Sequence, residues 1–194
     1  MIRILRDKMV PRELRNLVDQ ELEPGERVQW MESPIPRMFT VASIVPFLFS
    51  IPWTAFALFW IYGASGFKIP DFSEGIDPFP LFGVPFVLIG IGMFLSPVFS
   101  YRSAKKTVYA ITEKRGIMIK SGFSKTIRSF RPDELGEIYR REKKDGTGDV
   151  ILGKEEKYNT KGRPYIHEFG FMSVEKPKEV EAMMRALHER AGKS

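Results

Sequence analysis

A glycine-rich stretch flanked by cations is the part of this sequence best suited to be a catalytic loop. Residues 140–152 read RREKKDGTGDVIL, with four cations leading into an Asp-Gly-Thr-Gly-Asp turn. A phosphate-binding P-loop needs Gly-Lys-Ser/Thr at its end, where a helix begins. Here Asp149 stands in that place, and the apolar run after it is typical of a strand. We therefore interpret the stretch as a β-hairpin with Asp145-Gly146 in its turn.

Other residue patterns that support catalysis are missing from the sequence. It has two histidines, no cysteine, and neither an HExxH motif nor a GxSxG turn. We interpret His167 as packed in an aromatic strand, and His188 as a solvated residue that complements a helix dipole. Five carboxylates near the glycine-rich stretch are interspersed with cations, as on a solvated surface. They are Glu134, Glu137, Glu142, Asp145 and Asp149. We predict no catalytic residue, no cofactor and no metal ligand.

Two long uncharged runs dominate the middle of the chain. Residues 38–62 and 81–101 contain no charged residue and no histidine. A helix needs about 20 apolar residues to cross the hydrocarbon core of a bilayer, and the rest of the chain is too short to bury both runs. We predict a transmembrane hairpin with spans at about 38–62 and 81–101 and an exported loop at 63–80. Because neither span contains a charged residue or a histidine, a membrane anchor is favoured over a transport protein.

Charge predicts the orientation of this hairpin. The loop at 63–80 carries one cation and three anions, whereas Arg37, Arg102, Lys105 and Lys106 flank the spans. Positive residues beside a span stay cytoplasmic. We therefore predict a multi-pass protein of a bacterial inner membrane with both termini in the cytoplasm. The lack of cysteine agrees, because no disulfide framework is being built.

The N-terminal segment predicts one helix and one strand. Apolar residues recur at helical spacing from Val10 to Leu22, and Glu23-Pro24-Gly25 ends the helix. Two interpretations stay open: the apolar face packs on the cytoplasmic domain, which we favour, or the basic helix rests on anionic headgroups. Its cations are Arg3, Arg6, Lys8, Arg12 and Arg15. Residues 26–32 then alternate as a short strand.

The tail from residue 102 onward has the pattern of short strands. It holds 22 lysines and arginines against 14 acidic residues, but no known nucleic-acid-binding motif. Turn signals at regular intervals favour a small barrel or sandwich. The strands are predicted at 107–112, 115–120, 126–131, 138–142, 149–152 and 165–172. In the last of them we expect one face to carry Tyr165, His167, Phe169 and Phe171.

The end of the chain predicts an amphipathic helix. Pro177 suits a first helical turn, and four apolar residues follow at helical spacing. They are Val180, Met183, Met184 and Leu187. We expect this face to cap the barrel.

These motifs, in this order, resemble the bacterial pleckstrin-homology-like (PH-like) domain. They are Pro24-Gly25-Glu26 before the apolar runs, then YAITEKRGIMI at 109–119, RPDEL at 131–135, DGTGDVIL at 145–152 and FGFMSVEKPKEVEAMM at 169–184. The resemblance implies a half-open barrel closed by a C-terminal helix, with the hairpin inserted between the first and second strands. In eukaryotic relatives of this fold, that connection holds the basic residues that bind phosphoinositides. The insertion therefore implies that the anchors, not lipid recognition, hold the domain at the membrane.

The predicted fold is a two-helix transmembrane hairpin plus a cytoplasmic PH-like small β-barrel of about seven strands, capped by a C-terminal α-helix. Its parts are residues 1–37 (helix and first strand), 38–101 (hairpin) and 102–194 (PH-like domain). We predict a non-enzymatic interaction or scaffold module whose partners are the bilayer and a protein or a second copy, not nucleic acid. The alternative is an accessory subunit of a membrane-lipid or envelope enzyme or transport system. Candidate membrane-surface or partner contacts are Arg102, Lys105, Lys106, Arg140, Arg141, Lys143 and Lys144.

Overall fold

The computed structural model of the protein describes residues 10–67, 78–122 and 124–192. The chain divides into two compact units. Arg37–Arg102 form the first, named here the apolar unit. Met1–Pro36 and Ser103–Ser194 together form the second, named here the sheet unit. The N-terminal cations Arg3, Arg6 and Lys8 and the charged residues of the predicted exported loop lie outside the described residues.

The helices and strands follow one another as a helix and a strand, then a run of helices, then six strands and a last helix. In chain order they are α1 (Arg12–Glu21), β1 (Val28–Glu32), α2 (Val41–Ala64), α3 (Pro78–Leu81), α4 (Val84–Phe94), α5 (Ser96–Lys105), β2 (Thr107–Thr112), β3 (Gly116–Ser121), β4 (Lys125–Phe130), a 3₁₀ turn (Pro132–Glu134), β5 (Tyr139–Glu142), β6 (Gly148–Tyr158), β7 (Pro164–Val174) and α6 (Pro177–Ala191).

The seven described strands form two antiparallel sheets and no closed barrel, where the sequence predicted a small PH-like β-barrel of about seven strands. One sheet has the order β1-β2-β3-β4 and the other β5-β6-β7. The 3₁₀ turn after β4 leads the chain into the second sheet, so β4 and β5 do not pair. At the opposite corner a backbone bond of 2.8 Å, from the Ile35 N–H to the Ser173 carbonyl, joins the continuation of β1 to the end of β7.

Helix α1 packs on the outer face of the first sheet, as we favoured from its sequence. Its buried residues Leu14 and Val18 share an apolar cluster with Val108, Ala110 and other sheet residues. The next residues along β2 point to the other face. There Tyr109 and Ile111 belong to a second cluster. Strand β2 is therefore buried along its whole length.

The second cluster fills the space between the two sheets and α6. Phe171 from β7 and Met184 from α6 lie in it, both fully buried. The predicted helical stripe is confirmed, since Val180 and Leu187 are buried in the same cluster. Helix α6 thus covers an open end of the two-sheet core.

A buried ion pair joins α1, β1 and the β2–β3 turn. The Glu26 carboxylate, 6% exposed, accepts two bonds of 3.1 Å from the Arg115 guanidinium, which bridges both of its oxygens. The Thr112 hydroxyl donates to Glu26 at 2.7 Å, and the Glu23 N–H donates to it at 2.8 Å. Arg115 also donates to the Glu21 carbonyl at the end of α1, at 2.8 Å. One carboxylate thereby fixes three chain segments.

This environment holds the pKa of Glu26 far below its usual range. Burial by itself raises the pKa of the carboxyl, but the hydrogen bonds from Arg115, the Glu23 backbone and Thr112 outweigh that effect and lower it to about 2. A bidentate arginine with further donors is the geometry in which a buried carboxylate stays ionised.

We expect Glu26→Gln to lower the free energy of unfolding by about 3 kcal/mol at pH 7, because it leaves the Arg115 charge, whose side chain is only 17% exposed, without its partner. The folded pKa of Glu26 lies below its usual 4.5, so the stabilisation is complete above about pH 4.5 and is lost as the pH falls toward 2. The gap between wild type and variant should therefore close on acidification. Denaturant unfolding of the solubilised full chain measures both effects.

Glu113→Gln is the matched control, because Glu113 is exposed on the same β2–β3 turn. An exposed substitution of this kind changes stability by no more than about 0.5 kcal/mol. Equal stability of the Glu26 and Glu113 variants at neutral pH would contradict the role given to the ion pair.

In the apolar unit, one described helix, α2, is long and apolar enough to cross a membrane. Pro46 and Pro52 lie inside it without ending it. The second predicted span is not one straight helix, because α4 and α5 are bent by 46° at Leu95. The bend has a local cause: Pro97 has no N–H to continue the helical bonds, and its ring crowds the preceding turn. By length and composition alone, the described residues offer one span, or two if α4 and α5 count together.

Small and hydroxylated residues hold α2 against α4 and against the first residue of α5. Gly90 lies against the Thr54 side chain, and the Ser96 hydroxyl donates to the Ser43 carbonyl at 2.8 Å. Residue 54 of α2 lies beside residue 90 of α4, and residue 43 of α2 beside residue 96 of α5, so α2 runs antiparallel to α4 and α5. Close approach at glycine and hydrogen bonds from serine are common between helices in apolar surroundings.

We expect Gly90→Val to push α2 and α4 apart, because its Cβ would collide with Thr54. Overpacking of this kind costs about 1–3 kcal/mol. Gly92→Val is the control, since nothing lies within 4 Å of a Cβ at that position. The thermal stability of the full chain in detergent should fall only for the Gly90 variant, and a fall of equal size in both would refute this packing.

Candidate functional site

The glycine-rich stretch forms a tight hairpin between β5 and β6. The Lys143 N–H donates to the Thr147 carbonyl at 2.7 Å, and the Asp145 carboxylate accepts from the Thr147 N–H at 3.1 Å. Gly146 adopts a left-handed φ of 79°, which glycine takes without strain. A strand follows at Gly148 and no helix begins there. The hairpin interpretation is confirmed.

Arg140, one of the candidate contact residues, forms ion pairs with acidic residues of its own chain. Its guanidinium binds the buried Glu181 on α6 and, at 3.3 Å, the Glu142 carboxylate. Arg185 binds the same Glu181 carboxylate at 2.8 Å. Burial raises the pKa of Glu181, but the bonds from Arg140 and Arg185 outweigh it and bring the pKa below its ordinary value. Arg140 thus helps to fasten α6 to β5.

Arg141 belongs to a separate network on the exposed face of the second sheet. It binds the Glu168 carboxylate at 2.8 Å, and the Tyr139 hydroxyl donates to the same carboxylate at 2.6 Å. The bond to Glu168 raises the pKa of Tyr139, because it stabilises the protonated phenol. Two of the four cations in the stretch are therefore partnered by acidic residues of the same chain.

The remaining candidate cations lie at the surface in two places. Lys143 and Lys144 are exposed on the β5–β6 turn. Arg102 and Lys105 are exposed on α5, and Lys106 follows them directly before β2. The Lys106 carbonyl accepts from the Ser121 N–H at 2.7 Å, so its backbone is fixed while its side chain is exposed.

A long hairpin formed by β6 and β7 carries exposed residues that the sequence interpretation missed. The predicted strand at 149–152 extends to Tyr158, and its pairing with β7 continues as far as Tyr158 opposite Pro164. We expected His167 to be packed and Tyr165 to share the core face of Phe171, but both are exposed here. The available signal was the Asn159–Gly162 turn flanked by tyrosines, a hairpin pattern between polar strands.

Arg128 on β4 fills the gap between the two sheets. Its guanidinium lies 4.1 Å from the centre of the Phe169 ring and forms an ion pair with Glu155 on β6. A cleft of about 310 Å³ opens beside it, lined also by Lys154 and Glu134. Burial lowers the pKa of Arg128. Stacking and ion pairing thus join the sheets where backbone bonds do not.

We expect Arg128→Lys to destabilise the sheet unit by about 1 kcal/mol, because lysine keeps the charge but loses the planar stacking on Phe169. Arg131→Lys, at an exposed position one residue past β4, is the control and should be neutral. Thermal unfolding of the solubilised chain measures the difference. An unchanged midpoint in the Arg128 variant would show that the stacking contributes nothing.

The described residues contain no group of three or more His, Cys, Asp or Glu side chains placed to hold a metal ion. His188 donates from Nδ1 to the Pro132 carbonyl at 2.6 Å and is exposed near the end of α6, as its sequence position suggested. No protein-family model, no curated protein and no solved structure matches the chain.

Proposed function

We propose that this protein is a non-enzymatic, membrane-anchored interaction module. In this proposal the apolar unit anchors it in a bacterial inner membrane and the sheet unit works on the cytoplasmic side as a PH-like domain. The sheet unit binds a protein partner or a second copy of the chain.

The exposed apolar surface of the apolar unit carries the proposal. Among the described residues, 24 of the 28 large apolar side chains that are exposed lie between Met38 and Phe99. A water-soluble protein rarely leaves so large a continuous apolar surface uncovered. Lipid tails cover it without any further protein, which is why we favour a membrane.

The antiparallel packing of α2 and α4 supports a hairpin anchor. If α4 and α5 act as one bent span, the chain crosses twice and returns to the side from which it entered. Arg37, Arg102, Lys105 and Lys106 then flank the spans, which favours the cytoplasm for both termini.

The order of elements supports the PH-like interpretation of the sheet unit. Four antiparallel strands, three more strands and a C-terminal helix follow in that sequence, and the apolar unit lies between β1 and β2. Both features agree with what the family resemblance implies. A fold of this kind hosts many functions, so binding is inferred from the surface and not from the fold.

Exposed cations favour binding over catalysis. Lys143 and Lys144 stand exposed on a turn held by hydrogen bonds, and the described residues contain no group of three or more His, Cys, Asp or Glu placed to hold a metal ion. An acidic partner surface is the complement of such a turn. The charges steer and orient the partner, and neighbouring contacts supply the rest of the affinity.

We expect the full chain to stay in membranes after alkaline extraction and to be recovered from detergent as a stable assembly with itself or a protein partner. Lys143→Glu/Lys144→Glu should weaken that assembly at least about tenfold, since charge reversal on both residues repels an acidic surface. Chemical crosslinking followed by mass determination measures the assembly.

Lys120→Glu/Lys178→Glu is the matched control, because both positions are exposed and the net charge changes equally. Full release on alkaline extraction would contradict the anchor. A monomer without partner, together with turnover of a phospholipid by the purified chain, would favour the membrane-enzyme alternative.

A further inference from the structure

The tip of the β6–β7 hairpin carries most of the exposed apolar surface outside the apolar unit. Outside the apolar unit, four large apolar side chains of the described residues are exposed. Three of them lie at this tip: Tyr158, Tyr165 and Ile166. They are 67%, 47% and 70% exposed. The fourth, Ile127, lies apart on β4. Apolar exposure in the sheet unit is thus concentrated at one projecting point.

The same tip is purely basic. Residues 157–166 read KYNTKGRPYI, with three cations (Lys157, Lys161 and Arg163) and no acidic residue. Further down the hairpin, Glu168 pairs with Arg141, and Glu155 pairs with Arg128 and also lies 3.6 Å from the Lys157 ammonium. Glu156 is exposed directly before the tip. The charge of Lys157 is therefore partly balanced by its own strand, and the exposed Lys161 and Arg163 carry the excess positive charge of the tip.

The turn is held rigid by one side chain. The Asn159 amide oxygen accepts from the N–H groups of Lys161 and Arg163, both at 2.9 Å. The Asn159 N–H in turn donates to the Arg163 carbonyl at 3.0 Å, and Gly162 supplies a left-handed φ of 69°. The tip is thus preformed and loses little conformational entropy when it binds.

Both faces of the tip combine apolar and polar groups. Cross-strand partners share a face, so Tyr158, Pro164 and Ile166 lie on one side, and Lys157 and Tyr165 on the other. A protein surface would cover one of these faces and leave the other exposed. The interfacial layer of a bilayer surrounds an inserted tip and accepts tyrosine rings and cations together on every side.

We propose that residues 157–166 form a contact with the surface of an anionic phospholipid bilayer. Tyr158, Tyr165 and Ile166 enter the interfacial layer, and the three cations lie at the lipid phosphates. Each cation near such a surface increases association about fivefold. The contact depends on the negative charge of the lipids and not on the structure of a particular headgroup. It rests on the proposed membrane anchor, which keeps the tip at a high effective concentration near the lipid surface.

Because the chain has no cysteine, a single fluorophore can be placed at will in the full-length protein. Thr160→Cys labels the exposed tip, Glu189→Cys labels an exposed position on α6, and Phe49→Cys labels α2. The chain is reconstituted in nanodiscs of phosphatidylcholine, with or without phosphatidylglycerol. Lipids with a nitroxide in the headgroup or in the acyl chain serve as quenchers.

With headgroup nitroxides, we expect the label at residue 160 to be quenched at least about fivefold more in anionic than in neutral discs, and the label at 189 to be quenched equally in both. Raising the salt from about 0.1 M to about 1 M, which shortens the Debye length from about 10 Å to about 3 Å, should abolish the difference. Lys157→Gln/Lys161→Gln/Arg163→Gln should abolish it as well. Lys120→Gln/Arg131→Gln/Lys178→Gln, at three exposed positions and of equal charge change, should preserve it.

The apolar part of the contact is tested by Tyr158→Thr/Ile166→Thr, which keeps strand-forming residues and should reduce the quenching at 160 while the charges remain. Equal quenching at 160 in neutral and anionic discs, or an unchanged response in the triple tip variant, would overturn the proposal. The label at residue 49 separates this failure from that of the anchor, because acyl-chain nitroxides quench it only if α2 lies in the bilayer.

Discussion

The bidentate pair between Glu26 and Arg115 is the interaction on which the sheet unit depends most. It joins residues 89 positions apart, from either side of the apolar unit. Closing so long a loop costs conformational entropy, and a five-residue edge strand such as β1 recovers little of it from backbone bonds. The Glu26–Arg115 pair also joins the end of α1 and the β2–β3 turn to the segment before β1. The strand, the helix and the turn are therefore held together as one assembly.

Local patterns predicted much of the fold. The spacing of Leu14 and Val18 predicted α1, and that of Val180, Met184 and Leu187 predicted the buried face of α6. The short strands of the sheet unit also followed from alternation and turn signals, because those signals are written within a few residues. The Pro24-Gly25-Glu26 motif marked the start of β1, although nothing local revealed that its carboxylate would meet Arg115.

Features that depend on distant contacts could not be predicted in the same way. The cations at 140 and 141 looked alike in sequence, and only the folded chain pairs them with Glu181 and Glu168. His167 lies in an aromatic run, but β6 and β7 extend beyond the core, so the residue is exposed. The bend at Leu95 follows from Pro97, yet Pro46 and Pro52 leave α2 continuous. A proline's effect depends on which neighbours can satisfy the carbonyl that it leaves unbonded.

The burial of β2 on both faces has a consequence for the order in which parts of the protein can fold during synthesis. During synthesis α1 and β1 leave the ribosome first, and their binding surface on β2 and β3 follows only after the whole apolar unit. Until then, Leu14 and Val18 have no partner in the sheet, and the first sheet lacks its edge strand. A tail that begins after the apolar unit would likewise expose Val108, Ala110, Ile117 and Ile119. The two ends of the chain therefore fold as a single unit. Insertion of the apolar unit between them must still allow α1 and β1 to pack on β2 and β3.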